Sequence, residues 1–249
     1  MMLARCGEPL RDHLLKVAQA AQLLSEELKL NLELEAYLSG MLHDVGKADA
    51  GAQRRIAEGC ETERELGSPG HEILSAVIAF EVLTGCGLQP EATFEVVGAI
   101  LRHHQAMRTV DEALNTVRKW FRGRIADPTE LEAVLNGGLS AVGLSGARFA
   151  WPTSIEDLEK RLAEMQGEFE RFYGQPARVL RARLLSGLVM VADTYVAGLS
   201  AAEKDEKSLY KREVERFVES LRGGRWGARG SREPGAGKPK EKRSDRSCG

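Results

Sequence analysis

Leu42-His43-Asp44-Val45-Gly46-Lys47 sets an imidazole and a carboxylate side by side, with a glycine and a lysine just beyond. Histidine and aspartate are both metal ligands, and as neighbours they can grip one ion or bridge two. The chain before the doublet carries it on a helix. Asn31 can cap a helix from about Leu32, apolar at Tyr37, Leu38 and Met41, that runs into His43-Asp44 and ends at Gly46.

The flanking chain keeps the helical period nearly throughout. Residues 9–28 place Leu10, Leu14, Val17, Ala21, Leu24 and Leu28 at three- and four-residue steps, which predicts an amphipathic helix with His13 in its first turns. A short helix is expected over 50–58, then a polar loop through Ser68-Pro69-Gly70. His71 opens an apolar helix with Leu74, Ile78 and Val82 that closes near Gly85. Pro90 starts the next helix, whose apolar face is Phe94, Val97, Ile100 and Leu101 and whose end is His103-His104. Short helices are expected over 111–122 and 128–136, and the glycine-rich stretch 137–152 reads as a loop inserted over the doublet's surroundings. Ser154 with Asp157 starts a charged helix to about Phe172, Pro176 a long one to about Gly198, and 201–221 is a final charged amphipathic helix.

No internal repeat and no convincing β-hairpin stands out, so the expectation is one all-α helical bundle over residues 1–221. Residues 222–249 hold nine Lys/Arg against three Asp/Glu, a net of +6, with almost no aliphatic side chains. Such a basic Gly/Arg-rich stretch is expected to be a disordered, flexible tail. The body then carries 26 basic and 34 acidic residues, a net of -8. Cys6, Cys60, Cys86 and Cys248 form no CxxC pair, which reads as scattered thiols in a reducing cytoplasm rather than a disulfide framework. The N-terminus lacks a signal-peptide pattern. The most apolar run, Leu184 to Leu199, is short for a membrane span and contains Asp193. A cytoplasmic protein with no membrane association is expected.

The five histidines, His13, His43, His71, His103 and His104, each lie on or at the end of an expected apolar helix. Asp193 sits in an apolar helix between Ala192 and Thr194. A buried carboxylate without a counter-charge costs several kcal/mol, and a metal ion removes that cost. A lone core histidine is commonly just hydrogen-bonded, and a lone buried aspartate commonly capped or salt-bridged. The adjacent His103-His104 pair, however, needs a shared cation or a careful network. All seven residues together point to a metal centre inside the bundle.

At these residues the chain resembles the HD phosphohydrolase superfamily, an all-helical fold named for the doublet present here as His43-Asp44. The ordered set His13, His43-Asp44, His71, His103-His104 and Asp193 spans about residues 9–200. Within the superfamily it is similar to the CRISPR-associated HD nuclease. The opening Gly7-Glu8-Pro9-Leu10-Arg11-Asp12-His13, the His43-Asp44-Val45-Gly46-Lys47 element, Ser68-Pro69-Gly70-His71-Glu72, Arg102-His103-His104 and Ala192-Asp193-Thr194 each resemble a motif of that family. Gln105 stands where that family often has glycine. The Gly-Tyr-Pro signature that follows the double histidine in cyclic-dinucleotide phosphodiesterases is absent.

The resemblance implies that His13, His43, Asp44 and Asp193 hold one divalent ion, and that Asp44 bridges to a second held by His71, His103 and His104. A mixed imidazole and carboxylate set suits Mn²⁺, Fe²⁺, Co²⁺ or Ni²⁺ better than Mg²⁺, which remains possible. Asp44 and Lys47 are the expected catalytic residues, with Lys47 neutralising phosphate oxygens in the transition state. The implied substrate is single-stranded DNA. The implied partners are a separate CRISPR helicase and an RNA-guided surveillance complex, because Gly235-Ala236-Gly237-Lys238 lacks the Ser/Thr of a phosphate-binding loop. Arg102, Arg108, Arg118, Lys119, Arg122 and Arg124, with Trp120 and Phe121 for stacking, are candidates for a DNA path, or else a solvated face over a core aromatic pair. The tail from Arg222 could add an arginine–glycine contact. The alternatives are an HD-type nucleotide or cyclic-nucleotide phosphohydrolase, and a non-catalytic regulator with a decayed site.

Overall fold

A computed structural model describes residues 1–62, 67–104, 109–200 and 209–222. Two short strands, β1 (Leu3–Arg5) and β2 (Glu8–Pro9), lead into α1 (Leu10–Glu27), α2 (Glu33–Leu42), a 3-10 turn (Val45–Ala48) and α3 (Ala50–Glu61). There follow α4 (His71–Gly85), α5 (Pro90–Arg102), α6 (Val110–Trp120), α7 (Pro128–Ser140), α8 (Ile155–Tyr173), α9 (Pro176–Ser200) and α10 (Leu209–Arg222). The all-α expectation holds, with one correction. β1 and β2 pair antiparallel across a turn at Cys6-Gly7, where Gly7 adopts φ 74°. Three residues and two are too few to show a strand's alternating pattern, so sequence periodicity could not reveal this hairpin.

α1, α2, α4 and α5 share the larger apolar cluster, in which Leu14, Leu38, Leu42, Leu74, Ile78, Val97 and Ile100 are fully enclosed, and α9 packs on α1 and α2 through a second cluster that includes Val17, Leu24, Leu185 and Leu188. α1 and α2 meet at small residues: a Cβ on Gly40 would lie 2.7 Å from the Ala18 Cα. That close crossing draws His13 on α1 towards His43 just past α2. α5 and α9 are tied by the buried Glu95. Its carboxylate takes Arg178 Nη1 and Arg181 Nε, both at 2.7 Å, and Arg181 reaches on to Glu35 of α2 at 3.4 Å. So the helix that ends in the double histidine is clamped to the helix that carries Asp193.

Two local readings need correcting. Asn31 does not cap α2: it adopts φ 54°, and Leu32 is the capping position with no side-chain bond. Gly46 does not end that helix either, since α2 stops at Leu42. Gly46 lies in the 3-10 turn, where a Cβ would collide with the His71 carbonyl. The glycine is there for close approach, which lets the turn press on the start of α4.

The segment after the doublet is fixed by Asp49. Its carboxylate caps α3 through Gly51 N (2.7 Å) and accepts the main-chain N–H groups of Arg122 (3.0 Å) and Arg124 (3.4 Å). α7 runs on to Ser140, so residues 137–140 of the expected 137–152 loop are helical and the connection is 141–154. It packs on the far end of α4, with Ala150 N donating to Glu81 and Arg148 against Gly85. Ser154 caps α8 as expected, accepting from Asp157 N at 3.1 Å.

Cys6 and Cys60 are joined in a disulfide with Cα atoms 5.3 Å apart, which overturns the expectation of scattered thiols. Their 54-residue separation hid the pairing. The hairpin turn and the C-terminal end of α3 bring them together. Among the described residues no helix is long and apolar enough to cross a membrane. The expected flexible tail lies, from residue 223 onward, outside the described residues, as do Arg108 and residues 201–208.

Candidate metal centre

Helix ends deliver most of the site. His43 is the residue after α2, His103 the residue after α5, and His71 the first residue of α4. The last carbonyls of a helix have no partner within it, so a histidine just past the end can use them. His43 Nδ1 lies 2.8 Å from Gly40 O and His103 Nδ1 2.6 Å from Ile100 O, each three residues back. His71 Nδ1 lies 2.7 Å from Ser68 O in the turn before α4. A carbonyl only accepts, so the hydrogen in each ring is assigned to Nδ1 and Nε2 is left as a bare lone pair.

Those lone pairs converge on Asp44, which is buried. Asp44 Oδ1 is 2.6 Å from His71 Nε2 and 4.0 Å from His103 Nε2. Asp44 Oδ2 is 3.3 Å from His13 Nε2, 3.4 Å from His43 Nε2 and 2.6 Å from Lys47 Nζ. His13 Nε2 is also 3.3 Å from Asp193 Oδ1. The Nε2 atoms of His13, His43, His71 and His103, and Oδ1 of Asp44, are buried without hydrogen-bond partners. Imidazole lone pairs aimed at a carboxylate repel it, and a cation among them reverses the sign.

The ligand atoms gather in three overlapping groups, each within 4.8 Å: His13, His43 and Asp193; His43, Asp44 and His103; His71, His103 and His104. This donor set fits a divalent transition metal. All seven sequence-expected ligands and Lys47 are thus drawn to one place, with Asp44 between the outer groups. The centre is enclosed on most sides. Among the described residues of the centre, Asp193, 26% exposed, Lys47, 17% exposed, and the half-buried His104 ring are the ones that reach solvent.

The electrostatics follow from burial and neighbours. Burial lowers the His43 imidazole. Burial, helped by the His43 and His71 rings, pushes His103 down to about 4. His104 falls to about 2, from burial and its His103 and His71 neighbours. These rings are neutral, as ligands must be. Burial also pushes His13 down, but the Asp193, Asp44 and Glu8 carboxylates beside its ring outweigh it and raise His13 to about 10. In the metal-free protein the His13 imidazole is therefore protonated at neutral pH. Burial works to raise Asp44, yet the surrounding imidazoles and the Lys47 ammonium hold its carboxyl well below the usual range.

Some positioning residues escaped the sequence reading. Ser75, one helical turn after His71, accepts the Gly46 N–H at 2.9 Å and so locks the turn after the doublet onto α4. Arg5 and Glu8, on the unforeseen hairpin, face His13 Nδ1 at 3.3 and 3.4 Å. Conversely, the expected stacking pair is not available. Trp120 and Phe121 are buried, and Trp120 Nε1 donates to Pro69 O at 2.9 Å. α6 turns its apolar face inward at Trp120, and Phe121, just past the helix, follows it into the core. Arg118 is engaged by Glu159, and Arg102 folds back to the Gly98 carbonyl at 3.1 Å.

Residues 10–135 match the HD domain family, a span that includes His13 to His104 and stops short of Asp193. One similar solved structure is the CRISPR-associated Cas3 HD domain protein of Methanocaldococcus jannaschii, 21% identical, with 77% of this chain and 98% of that one covered at a TM-score of 0.48. No curated protein matches the chain.

Proposed function

The chain belongs to the HD domain family, whose members are metal-dependent phosphohydrolases, and we propose that its own substrate is the phosphodiester backbone of single-stranded DNA. The convergence of His13 and His43 on one Asp44 oxygen, and of His71 and His103 on the other, supports the metal-dependent hydrolysis in this reading. His13, His43 and Asp193 would hold one divalent ion and His71, His103 and His104 a second, with the Asp44 carboxylate within reach of both groups. Mn²⁺, Fe²⁺, Co²⁺ and Ni²⁺ suit the imidazole-rich set. Bound divalent ions would supply Lewis acidity and an activated water at neutral pH.

The chain's own residues do the rest. Main-chain carbonyls fix the imidazole tautomers of His43, His71 and His103, so the donor atoms are preset. Lys47 is held 2.6 Å from Asp44 on the open side, from where its ammonium faces phosphate oxygens as charge builds on them. The five motifs shared with CRISPR-associated HD nucleases support a role in CRISPR interference. A separate helicase and an RNA-guided surveillance complex would deliver the displaced strand in the cytoplasm. Thiol-rich cytoplasm tends to open disulfides, so the Cys6–Cys60 bond would be subject to exchange there.

A second reading has one observation in its favour. Trp120 and Phe121 are core residues, so the expected stacking track beside the double histidine is missing. Hydrolysis of a nucleotide or cyclic nucleotide needs no such track. The deciding assay strips the protein with EDTA, reloads it with Mn²⁺, Co²⁺ or Ni²⁺, and offers single-stranded DNA, dNTPs and cyclic nucleotides separately. The nuclease reading expects DNA cleavage only after reloading. Cleavage that survives EDTA would overturn metal dependence, and hydrolysis of the small substrates alone would overturn the nuclease.

A further inference from the structure

His13 differs from the other buried histidines in what stands behind it. His43, His71 and His103 each lie at a helix end and give Nδ1–H to a carbonyl three residues back. His13 lies inside α1, where such carbonyls are already committed to the helix ladder. Its Nδ1 faces the preceding hairpin instead. Two groups are there: Glu8 Oε1 at 3.4 Å and Arg5 Nη2 at 3.3 Å.

Only one of the two can receive a hydrogen. A guanidinium donates and never accepts, whereas a carboxylate accepts. Metal ligation uses the Nε2 lone pair, which puts the hydrogen on Nδ1 and points it at Glu8. Arg5 then serves Glu8, with its Nε 2.5 Å from Glu8 Oε2, and keeps that carboxylate from taking the imidazole proton outright. Glu8 is buried, so its charge acts on the ring with little screening.

We propose that Glu8 is the positioning residue for His13, and that it makes the pocket of His13, His43 and Asp193 bind its ion more tightly than the pocket of His71, His103 and His104. This rests on the two-ion reading above. The first pocket has its own carboxylate, Asp193, a share of Asp44, and a carboxylate-backed imidazole. The second has three imidazoles and its share of Asp44. Glu72 stands 3.8 Å from His71 Nδ1, beyond hydrogen-bond distance, and that nitrogen is already on Ser68 O. A carboxylate behind a histidine ligand orients the ring and raises its basicity, and loss of such a partner costs about 10–100-fold in metal affinity.

The test is calorimetric titration of the metal-free full chain with Mn²⁺, for wild type, Glu8→Ala and Glu8→Gln. Circular dichroism melts of each metal-free protein accompany it. Two binding events of unequal affinity are expected for wild type. Glu8→Ala should weaken the tighter event by about 10–100-fold and leave the weaker one in place. Glu8→Gln, which still accepts a hydrogen bond but carries no charge, should recover part of the loss. Substitution with Co²⁺ should show the same single-site change in the visible absorption spectrum. If wild type binds ions but both Glu8 variants bind them equally well, the role of Glu8 is overturned alone. If both events weaken together in step with a fall in melting temperature, the role is merely structural and the proposal fails. A wild-type protein that takes up no Mn²⁺ would overturn the metal reading itself.

Discussion

Metal uptake should release a proton from His13 and none from His103 or His104. His13 is raised to about 10, so at neutral pH it is protonated in the metal-free protein. An ion cannot share Nε2 with that hydrogen, so binding must expel it. The gap between about 10 and pH 7 is three decades, which lowers the apparent affinity of that pocket by about 4 kcal/mol. The affinity should therefore rise about tenfold per pH unit from pH 7 to 9 and level off near pH 10. His103, at about 4, and His104, at about 2, are already neutral above pH 5 and contribute no such slope. Calorimetry in buffers of different ionisation enthalpy counts the protons directly. One proton per ion in the tighter pocket is expected at pH 7. A count of zero, or an affinity flat across that range, would refute the assignment of the proton to His13. The sign for folding is opposite. With His13 raised above its unfolded value, its contribution to metal-free stability is fully present below about pH 6.5 and is lost as pH climbs through about 10.

Other perturbations have separable readouts. Asp44→Ala should abolish metal-dependent cleavage while far-UV circular dichroism keeps its helical shape; residual cleavage above a tenth of wild type would count against the bridging role. Ser75→Ala leaves the buried Gly46 N–H without its acceptor, and denaturant melts should show a loss of about 1–3 kcal/mol. Glu95→Ala strands Arg178 and Arg181, but both can turn to water, so the loss should sit at the low end for a broken buried pair, about 3 kcal/mol. Opening the Cys6–Cys60 bond with a reductant should lower stability by about 4 kcal/mol, the chain-entropy value for a ring of this length, in the same melts.

The helices and their order were legible because each buries a stripe at three- and four-residue steps. α4 and α5 begin at His71 and Pro90, as the periodicity predicts. The site was legible for a related reason. Histidines and an aspartate on apolar faces are out of place unless something pays for their burial, and all seven do meet. What stayed hidden was everything whose partner is distant in sequence. The Nδ1 partner of His13 is on a two-residue strand, and the Gly46 partner is Ser75. The cysteines are 54 residues apart. Trp120 and Phe121 misled because an aromatic beside basic residues reads the same whether it faces water or the core.

The Cys6–Cys60 bond turns the first part of the chain into a macrocycle. His13, His43, Asp44 and Lys47 all fall inside it, while His71, His103, His104 and Asp193 fall outside. When the protein unfolds oxidised, His13, His43 and Asp44 stay tethered in one ring, while Asp193 and the histidines of the second pocket scatter. The ring raises the local concentration of His13 about His43-Asp44 even in the denatured chain. Some metal would then remain with the unfolded ring, which trims the stabilisation that an ion gives the native state. It would also let one half of the centre reload first on refolding, as a seed for the other half.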